Sequence, residues 1–199
     1  PYWPIARRGC PPDSPARQAP LKDSFNAPPE IDISIAEQHS FSGYVSNFTL
    51  SSDICHQPDL QGLNGLLINP ISVSSTKVLF PMFGGSKLAI NNEILLPPPI
   101  YWEAEERFTG GQDNDVEWKN KGNTVVWRGV ATGGQNKADN WRGFHRHRFV
   151  SMLNETKVSG VESGKVKPEN FVLPSEQYHL NAQAQGRLGE WVGEWSDVG

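Results

Sequence analysis

The fold is decided by residues 124–134, TVVWRGVATGG, and by the basic segment at residues 139–153, DNWRGFHRHRFVSML. The first four residues are β-branched or aromatic, which is typical of a strand. The three glycines that follow predict a turn, and Asp139 or Asn140 can cap a helix. Apolar residues then recur near the helical period, with arginines on the other faces. A strand, a glycine-rich turn and a basic helix in this order predict an α/β domain.

The composition of the 199-residue chain is that of a folded domain rich in turns. It has 19 glycines and 16 prolines, and its 7 tryptophans, 9 phenylalanines and 4 tyrosines can fill a core. The sequence lacks a glycine period, a coiled-coil pattern and an apolar stretch of about 20 residues, which excludes collagen, a coiled coil and a membrane span. The hydrophobic share of 37% and the first residue, Pro1, favour a processed chain or a piece of a larger protein.

The chain is acidic in total but basic in one place. Its net charge of -4 disfavours a bulk nucleic-acid binder. Between residues 128 and 148, however, only Asp139 opposes a cluster of cations. The cluster consists of Arg128, Lys137, Arg142, Arg146 and Arg148, with His145 and His147 among them. This pattern favours a small anionic ligand over a long polyanion.

A glycine-rich turn that leads into a basic helix can bind a diphosphate. Glycines admit a close backbone approach, a helix N-terminus carries partial positive charge, and arginines match phosphate oxygens. The segment is neither a Walker loop nor a Rossmann fingerprint, because it lacks Gly-Lys-Ser/Thr and GxGxxG. A solvated basic helix face after an ordinary turn is the alternative, and spacing alone favours it. His145 and His147 lie on different helix faces, so they are interpreted as surface or phosphate-contact residues rather than metal ligands.

The two cysteines and two sequons bear on the compartment. Cys10 and Cys55 are not part of a CxxC motif, which disfavours a thiolate zinc site. They can form one disulfide or remain two buried thiols, and geometry decides between these. Asn47 and Asn154 begin N-glycosylation sequons, NFT and NET. Together these features favour a secretory compartment.

The remaining segments carry weaker signals. Residues 1–30 are rich in proline and are predicted to be extended or irregular, with Trp3 and Cys10 able to pin them to a core. Further assignments are a short strand at 33–35, a loop at 46–52, a buried strand at 63–68 and modest helical potential at 177–192. The acidic run at 103–117 can hold a general base, although a solvated loop is favoured. Trp118 and Trp127 can stack on a base or sugar, although core positions are commoner for tryptophan.

Two blocks of sequence carry a family resemblance. Residues 126–134 (VWRGVATGG) and 139–150 (DNWRGFHRHRFV) resemble the signature of glycosyltransferase family 90, the family of fungal capsule-associated xylosyltransferases and animal protein O-glucosyltransferases. Three further stretches resemble the fungal branch, so the resemblance spans nearly the whole chain. They are residues 3–17, 80–102 (FPMFGGSKLAINNEILLPPPIYW) and 190–199 (EWVGEWSDVG). The block from Trp127 to Arg148 is the specific part.

The resemblance implies a partial two-lobed, GT-B-like glycosyltransferase, an α/β fold with Rossmann-like βα units and a loop-rich N-terminal part. Residues 1–30 would be a Pro-rich extended segment, 31–117 part of the acceptor-side lobe, and 118–199 the start of a truncated nucleotide-sugar-binding lobe. The implied reaction is inverting, metal-independent transfer of xylose or glucose from a UDP-sugar to a hydroxyl of a glycan or protein, without a cofactor. The implied location is the lumen of the Golgi or ER, through an N-terminal anchor or signal outside this chain.

The resemblance also implies roles for particular residues. By motif match, the nucleotide-sugar contacts fall on Arg128, Gly129, Val130, Thr132, Gly133 and Arg146, with Arg142 and Arg148 as neighbours able to substitute. The animal branch has serine at the position of Val130, and valine cannot donate a hydrogen bond to phosphate. Ser86 and Lys87 match a Ser-Lys pair near the family's cleft.

The catalytic base is expected upstream of Pro1, in an Asp-x-Pro type of motif, so neither Asp13 nor Asp23 is assigned to it. The chain is therefore interpreted as an internal fragment. The alternative function is a non-catalytic carbohydrate- or protein-binding module, or an inactive truncated relative, whose tryptophans would form a glycan platform. RNA binding through the arginine cluster is disfavoured by the net charge and would show a steep salt dependence.

Overall fold

The computed structural model of the chain describes residues 1–71, 81–102 and 116–199. These residues form a mixed α/β structure of short strands that is about 39% helical. The chain forms two compact units, one from Pro1–Ser74 together with Thr124–Gly199 and one from Ser75–Asn123. The first unit contains the strand, the turn and the basic helix that the sequence predicts. The acidic run at 103–115 lies outside the described residues, as does Phe80.

Short helices make up most of the regular structure. The α-helices are α1 (Trp3–Ala6), α2 (Pro15–Gln18), α3 (Ile33–Glu37), α4 (Phe48–Ser51), α5 (Gly65–Ile68), α6 (His145–Met152), α7 (Glu155–Glu162), α8 (Asn181–Ala184) and α9 (Leu188–Trp195). Turns of 3-10 helix occur at Arg7–Gly9, Pro58–Gly62, Pro99–Trp102, Trp118–Asn120, Trp141–Gly143 and Glu176–Tyr178. The strands are β1 (Ser40–Phe41), β2 (Tyr44–Val45), β3 (Phe83–Gly84), β4 (Ile94–Leu95), β5 (Val125–Trp127) and β6 (Ser196–Val198).

Strands β5 and β6 form the parallel pair that positions the candidate site. Val125 is opposite Ser196, and Trp127 is opposite Val198. Parallel strands need a crossover connection, and here helices α6 to α9 lie between the two strands along the chain. The predicted α/β class is therefore confirmed in its coarse form, as a mixed α/β structure, and β5 covers Val125–Trp127 of the strand predicted at 124–127.

Helices α7 and α9 pack together to form the core beside this pair. Val158, Phe171 and Leu188 are buried there with 2–3% of their surface exposed. The Glu162 carboxylate accepts a hydrogen bond from the backbone N–H of Leu188 at 3.0 Å and so caps the start of α9. The helices approach closely because Gly189 lies against the backbone of α7. A Cβ atom at Gly189 would be 2.8 Å from the carbonyl oxygen of Glu155.

This close approach predicts opposite outcomes for two glycines on one helix. Gly189→Ala is expected to destabilise the protein by about 1–3 kcal/mol, because α7 backbone would have to move. Gly193→Ala is expected to change stability by less than about 1 kcal/mol, since alanine favours the helix and the two nearest atoms belong to the flexible end of the Glu155 side chain. Urea unfolding of both variants tests this, and equal effects would contradict the packing described.

The N-terminal segment is not extended as predicted. Prolines occupy the first turns of α1 and α2, where their missing N–H costs nothing and their fixed φ suits a helix. Trp3 and Ala16 are buried, with 1% and 0% of their surface exposed. The prediction of an extended segment at 1–30 is therefore wrong for the short helices, while the predicted attachment to a core through Trp3 and Cys10 is present.

Three further predictions are wrong for one shared reason. The sequence predicts strands at 33–35 and 63–68 and a loop at 46–52, but helix α3 occupies 33–35, α5 occupies 65–68 and α4 occupies 48–51. Each of these helices follows an Asp or Asn whose side chain accepts a backbone N–H of the first turn. The capping residues are Asp32, Asn64 and Asn47, respectively. Such a cap stabilises a helix start by about 1 kcal/mol, enough to decide a segment this short.

The second unit is smaller and contains the parallel pair β3–β4. Phe83 is opposite Ile94, and Gly84 is opposite Leu95. The Trp118–Asn120 turn also belongs to this unit, and 87% of the surface of Trp118 is exposed. Trp118 therefore does not contribute to a core among the described residues.

Candidate functional site

The turn that follows β5 is the candidate site. It runs from Arg128 to Gly134 and leaves the carboxyl end of the strand, where ligands bind in open α/β sheets. Most of the turn is exposed, including Val130, which has 68% of its surface accessible. The Trp127 ring lies over Gly129, where a Cβ atom would be 2.7 Å from the ring. Trp127 also contacts Phe149 edge-to-face at 5.8 Å and thereby packs the strand against α6.

Arg146 holds the turn in place from the first turn of α6. Its Nη1 donates to the carbonyl oxygen of Val130 and to the Thr132 hydroxyl, both at 2.7 Å. Arg146, Val130 and Thr132, which the sequence predicts as contacts of the nucleotide-sugar, are thus brought together. A guanidinium carries five N–H donors, so Arg146 keeps donors for a further acceptor after making these bonds.

Arg128 closes the other end of the turn. Its Nη1 donates to the carbonyl oxygen of Asp197 at 2.7 Å, and its Nη2 forms an ion pair with the Asp197 carboxylate. Both side chains are more than half exposed, so the pair adds little stability. Its effect is to fix the guanidinium at the carboxyl end of the β5–β6 pair. Asp197 could not be predicted from the sequence as a site residue, because its link to Arg128 depends on the register of two strands that are distant along the chain.

Arg142 and Arg148, predicted as substitutes for Arg146, are engaged elsewhere. Arg148 donates to the carbonyl oxygens of Leu63 and Gly143, and burial lowers the pKa of its guanidinium. Arg142 donates to the Asn26 side chain and stacks on the Trp141 ring at 4.8 Å. These contacts give Arg148 a role in joining α6 to the segment before α5, and they place Arg142 on the surface.

The glycines of the turn pack against α5. Gly133 and Gly134 have φ values of 114° and 143°, which an L side chain rarely adopts. A Cβ atom at Gly134 would lie 2.6 Å from the carbonyl oxygen of Gly65 and 2.8 Å from that of Asn69. The backbone N–H of Gln135 donates to the same Asn69 carbonyl at 2.7 Å. Backbone conformation and close packing thus explain Gly133 and Gly134 without a ligand. Gly129 and Gly133 are nevertheless exposed, so an anion can approach the turn there.

The basic helix begins later than predicted. A 3-10 turn at Trp141–Gly143 precedes it, and Phe144 occupies the N-cap position. Among the described residues no side chain caps α6, and Asn140 instead accepts from the backbone N–H of Lys137 at 2.8 Å. The predicted capping by Asp139 or Asn140 is therefore wrong. The first turn of α6 carries Arg146 and Arg148 at the positive end of the helix dipole, where a cation is less favourable than an anion.

The two histidines of α6 have lowered pKa values. Burial, and then the charges of Arg146 and Arg148, lower the pKa of His145 below 6.5. Burial, and then Lys157, lower the pKa of His147. The Nε2 of His147 lies 2.9 Å from the Asn136 amide oxygen, and the Nδ1 of His145 is buried without a partner among the described residues.

These shifts predict a pH dependence of stability. The unfolded chain takes up protons at ordinary histidine pKa values near 6.5, whereas the folded chain does so only at lower pH. The free energy of unfolding is expected to fall as the pH is lowered from about 7 to 5. Urea unfolding across that range measures it, and the His145→Gln/His147→Gln variant should show a smaller slope. An equal slope in the double variant would contradict this assignment.

The other predicted residues lie apart from the turn. Ser86 and Lys87 are exposed in the loop after β3, within the second unit. Cys10 and Cys55, whose pairing the sequence left open, form a disulfide with a Cα–Cα distance of 5.3 Å. Asn47 and Asn154 are exposed, and each caps a helix through its side-chain oxygen.

The two capped sequons predict glycosylation that leaves the caps intact. The cap uses the side-chain oxygen, while a glycan attaches to the nitrogen, so both can coexist. In a secretory host, Asn47→Asp and Asn154→Asp are each expected to remove one glycan while keeping the cap. Gel mobility before and after enzymatic deglycosylation measures this. Unchanged mobility of either variant relative to the parent would rule out that site.

An open cleft of about 1510 Å³ lies elsewhere in the first unit. Of the described residues that line it, none belongs to the predicted nucleotide-sugar site. The basic turn and this cleft are therefore separate features of one unit. The cleft was missed because its walls come from residues 29–44 and 152–194, which no local pattern links.

Neither a metal cluster nor a spanning helix occurs in the part of the chain that the structure describes. No three His, Cys, Asp or Glu side chains there are grouped to hold a metal ion. Likewise, no described helix has the length and apolar character needed to cross a membrane.

Comparisons of the chain with models of protein families, with curated proteins and with solved structures find no match.

Proposed function

We propose that the protein is a UDP-sugar-dependent glycosyltransferase with a GT-B-like architecture, in which the turn after β5 binds the donor diphosphate. Two things support the proposal. The first is the resemblance of residues 126–150 to glycosyltransferase family 90. The second is the placement of that block at the carboxyl end of a parallel strand pair, the edge where α/β proteins bind nucleotides.

The observation that carries the proposal is the uncapped, cationic start of α6. Its free N–H groups and dipole add to the positive charge of Arg146, and Arg128 lies at the other end of the same turn. A bound diphosphate would offset the unfavourable interaction between Arg146 and the helix dipole. It would also accept hydrogen bonds from both the backbone and the guanidinium groups. An ordinary solvated helix start would more commonly carry an acidic or capping residue.

In the proposed reaction, xylose or glucose passes from the UDP donor to a hydroxyl of a glycan or protein, with inversion. A general base deprotonates the acceptor hydroxyl, whose oxygen attacks the anomeric carbon as the bond to the diphosphate breaks. Arg146 and Arg128 stabilise the negative charge that develops on the leaving UDP. The proposed transfer is metal-independent, and Ser86 and Lys87 are carried over only as a match to the family's Ser-Lys pair.

A specific observation favours a second candidate, a non-catalytic binding module. Each arginine of the cluster already has a protein acceptor, and Gly133 and Gly134 are explained by packing and backbone conformation. In this alternative the turn is structural, and the protein binds a carbohydrate or protein partner without transferring a sugar.

Donor turnover distinguishes the two candidates. The full-length protein would be incubated with UDP-xylose or UDP-glucose, and released UDP would be measured with and without neutral glycan acceptors. The proposed function predicts UDP release that depends on at least one of these donors and requires no divalent metal. Absence of turnover together with absence of UDP binding would overturn it in favour of the binding module.

A further inference from the structure

The cleft in the first unit has the lining of a saccharide-binding site. Three aromatic side chains face it, Tyr44, Tyr178 and Trp191. Tyr44 has 79% of its surface exposed and Trp191 has 39%, so both offer ring surface to a ligand. Aromatic rings are suited to the apolar C–H faces of sugar rings, because they combine a large flat area with few rotatable bonds.

Two of the three aromatic side chains, Trp191 and Tyr178, are packed against neighbouring residues. Trp191 contacts Trp195 edge-to-face at a centroid distance of 5.2 Å, one turn along α9. Tyr178 lies against the turn between β1 and β2, where a Cβ atom at Gly43 would be 3.5 Å from the ring. Gly43 has a φ of 81°, which brings this turn onto the tyrosine. Ordered rings lose less entropy when a ligand binds.

The polar groups of the cleft suit a neutral, hydroxyl-rich ligand. Among its Asp, Glu, Lys and Arg side chains, Glu30 and Glu194 are acidic and Arg187 is basic. Arg187 is already bonded to Glu190 at 2.7 Å, and this contact raises the pKa of its guanidinium. Carboxylates accept hydrogen bonds from sugar hydroxyls but repel phosphate. Asn181 and Gln185 add amide donors and acceptors.

An apolar floor continues the cleft inward. A smaller cavity of about 160 Å³ shares Met152, Leu173 and Trp191 with the cleft and is lined almost wholly by apolar side chains. Sites that bind small ligands are mostly apolar with a few converging polar groups, and the cleft with its floor fits this description. Glu30 is paired with Lys22 at 3.0 Å, so the cleft carries little net charge, which suits a neutral ligand better than a diphosphate.

We propose that this cleft binds a neutral oligosaccharide, stacked on Trp191 and Tyr44 and hydrogen-bonded by Glu30, Glu194 and Asn181. Binding of the saccharide does not depend on the proposed transferase activity. Only the identification of that saccharide as the acceptor rests on the proposed function. The cleft therefore makes the same prediction for an enzyme and for a binding module.

Calorimetry with defined oligosaccharides tests the proposal. The protein would be titrated with the neutral probes cellopentaose, xylopentaose and mannopentaose, and with pentagalacturonate as an anionic probe. At least one neutral probe is expected to bind with a dissociation constant in the millimolar range or tighter. Trp191→Ala and Tyr44→Ala are each expected to weaken that binding about tenfold.

The control variant is Trp118→Ala, which removes an exposed tryptophan of the second unit that does not line the cleft. It is expected to bind the neutral probe as the parent does. Binding that survives both Trp191→Ala and Tyr44→Ala, preference for pentagalacturonate, or no binding of any neutral probe would overturn the proposal. The same variants would also be titrated with UDP. Loss of saccharide binding at the cleft should leave UDP affinity unchanged, so this test is independent of the proposed donor site.

Discussion

Arg146→Ala is expected to weaken UDP binding by about ten- to a hundredfold while leaving the fold intact. A hydrogen bond from a charged donor contributes about 1.5–3 kcal/mol, and that range corresponds to this loss of affinity. Arg146 is the arginine that the structure fixes on the exposed turn, through Val130 and Thr132. Sugar transfer by the intact enzyme should be lost with it, because the same guanidinium would stabilise the leaving diphosphate. Calorimetry with UDP measures the binding.

Arg142→Ala is the matched control for this experiment. It removes the same charge from the same cluster, but its guanidinium is bonded to Asn26 and stacked on Trp141. Its effect on UDP affinity should therefore be small and should fade at high salt. Arg146→Lys tests geometry, since lysine keeps the charge but not the planar donor set. Normal UDP binding and normal turnover by Arg146→Ala would contradict the role of Arg146 in binding the diphosphate.

Loss of the Cys10–Cys55 disulfide is expected to cost about 4 kcal/mol of unfolding free energy. The bond closes a loop across a sequence separation of 45 residues, and loop-closure entropy for that length gives a value of this order. Both sulfurs belong to buried residues, and the backbone N–H of Ala16 donates to the Cys55 carbonyl at 3.0 Å. The bond thus ties the N-terminal helices to the segment before α5. Denaturant unfolding of Cys10→Ala/Cys55→Ala measures the loss.

Reduction of the parent protein provides the control, since it removes the bond without changing the sequence. Reduced parent and double variant are expected to unfold at similar denaturant concentrations, both well below the oxidised parent. A difference below about 1 kcal/mol between oxidised parent and double variant would contradict the role given to this bond.

The sequence predicted the strand and turn correctly but not where the helix begins. Residues 124–127 were identifiable because β-branched and aromatic side chains leave little alternative. The helix start was placed too early, because Asn140 uses its side chain on Lys137 and a 3-10 turn intervenes. Elsewhere, Asp32, Asn47 and Asn64 cap helices where alternation or composition indicated strands and a loop. Their capping signals were present in the sequence and outweighed the short apolar patterns.

The candidate site was predictable in part. Arg128, Val130, Thr132 and Arg146 belong to one sequence block, so a local motif was enough to select them. Arg148 could not be distinguished from Arg146 by sequence, since its acceptor, the Leu63 carbonyl, lies far away along the chain. The cleft could not be predicted for the same reason, because the residues that line it are far apart along the chain. Trp191 lies one turn from the buried Leu188 on a neighbouring part of the same helix face, yet it keeps 39% of its surface exposed.

Hydrogen exchange in the presence of UDP tests the central claim most directly, because it locates the ligand on the chain. If the turn binds the diphosphate, UDP slows exchange of the backbone amides at residues 128–134 and at the start of α6, residues 145–147. Uridine, which lacks the diphosphate, should give little of this protection. Protection that is confined to the cleft residues at 172–194, or equal protection by uridine and UDP in the turn, would contradict the assignment of the turn as the diphosphate site.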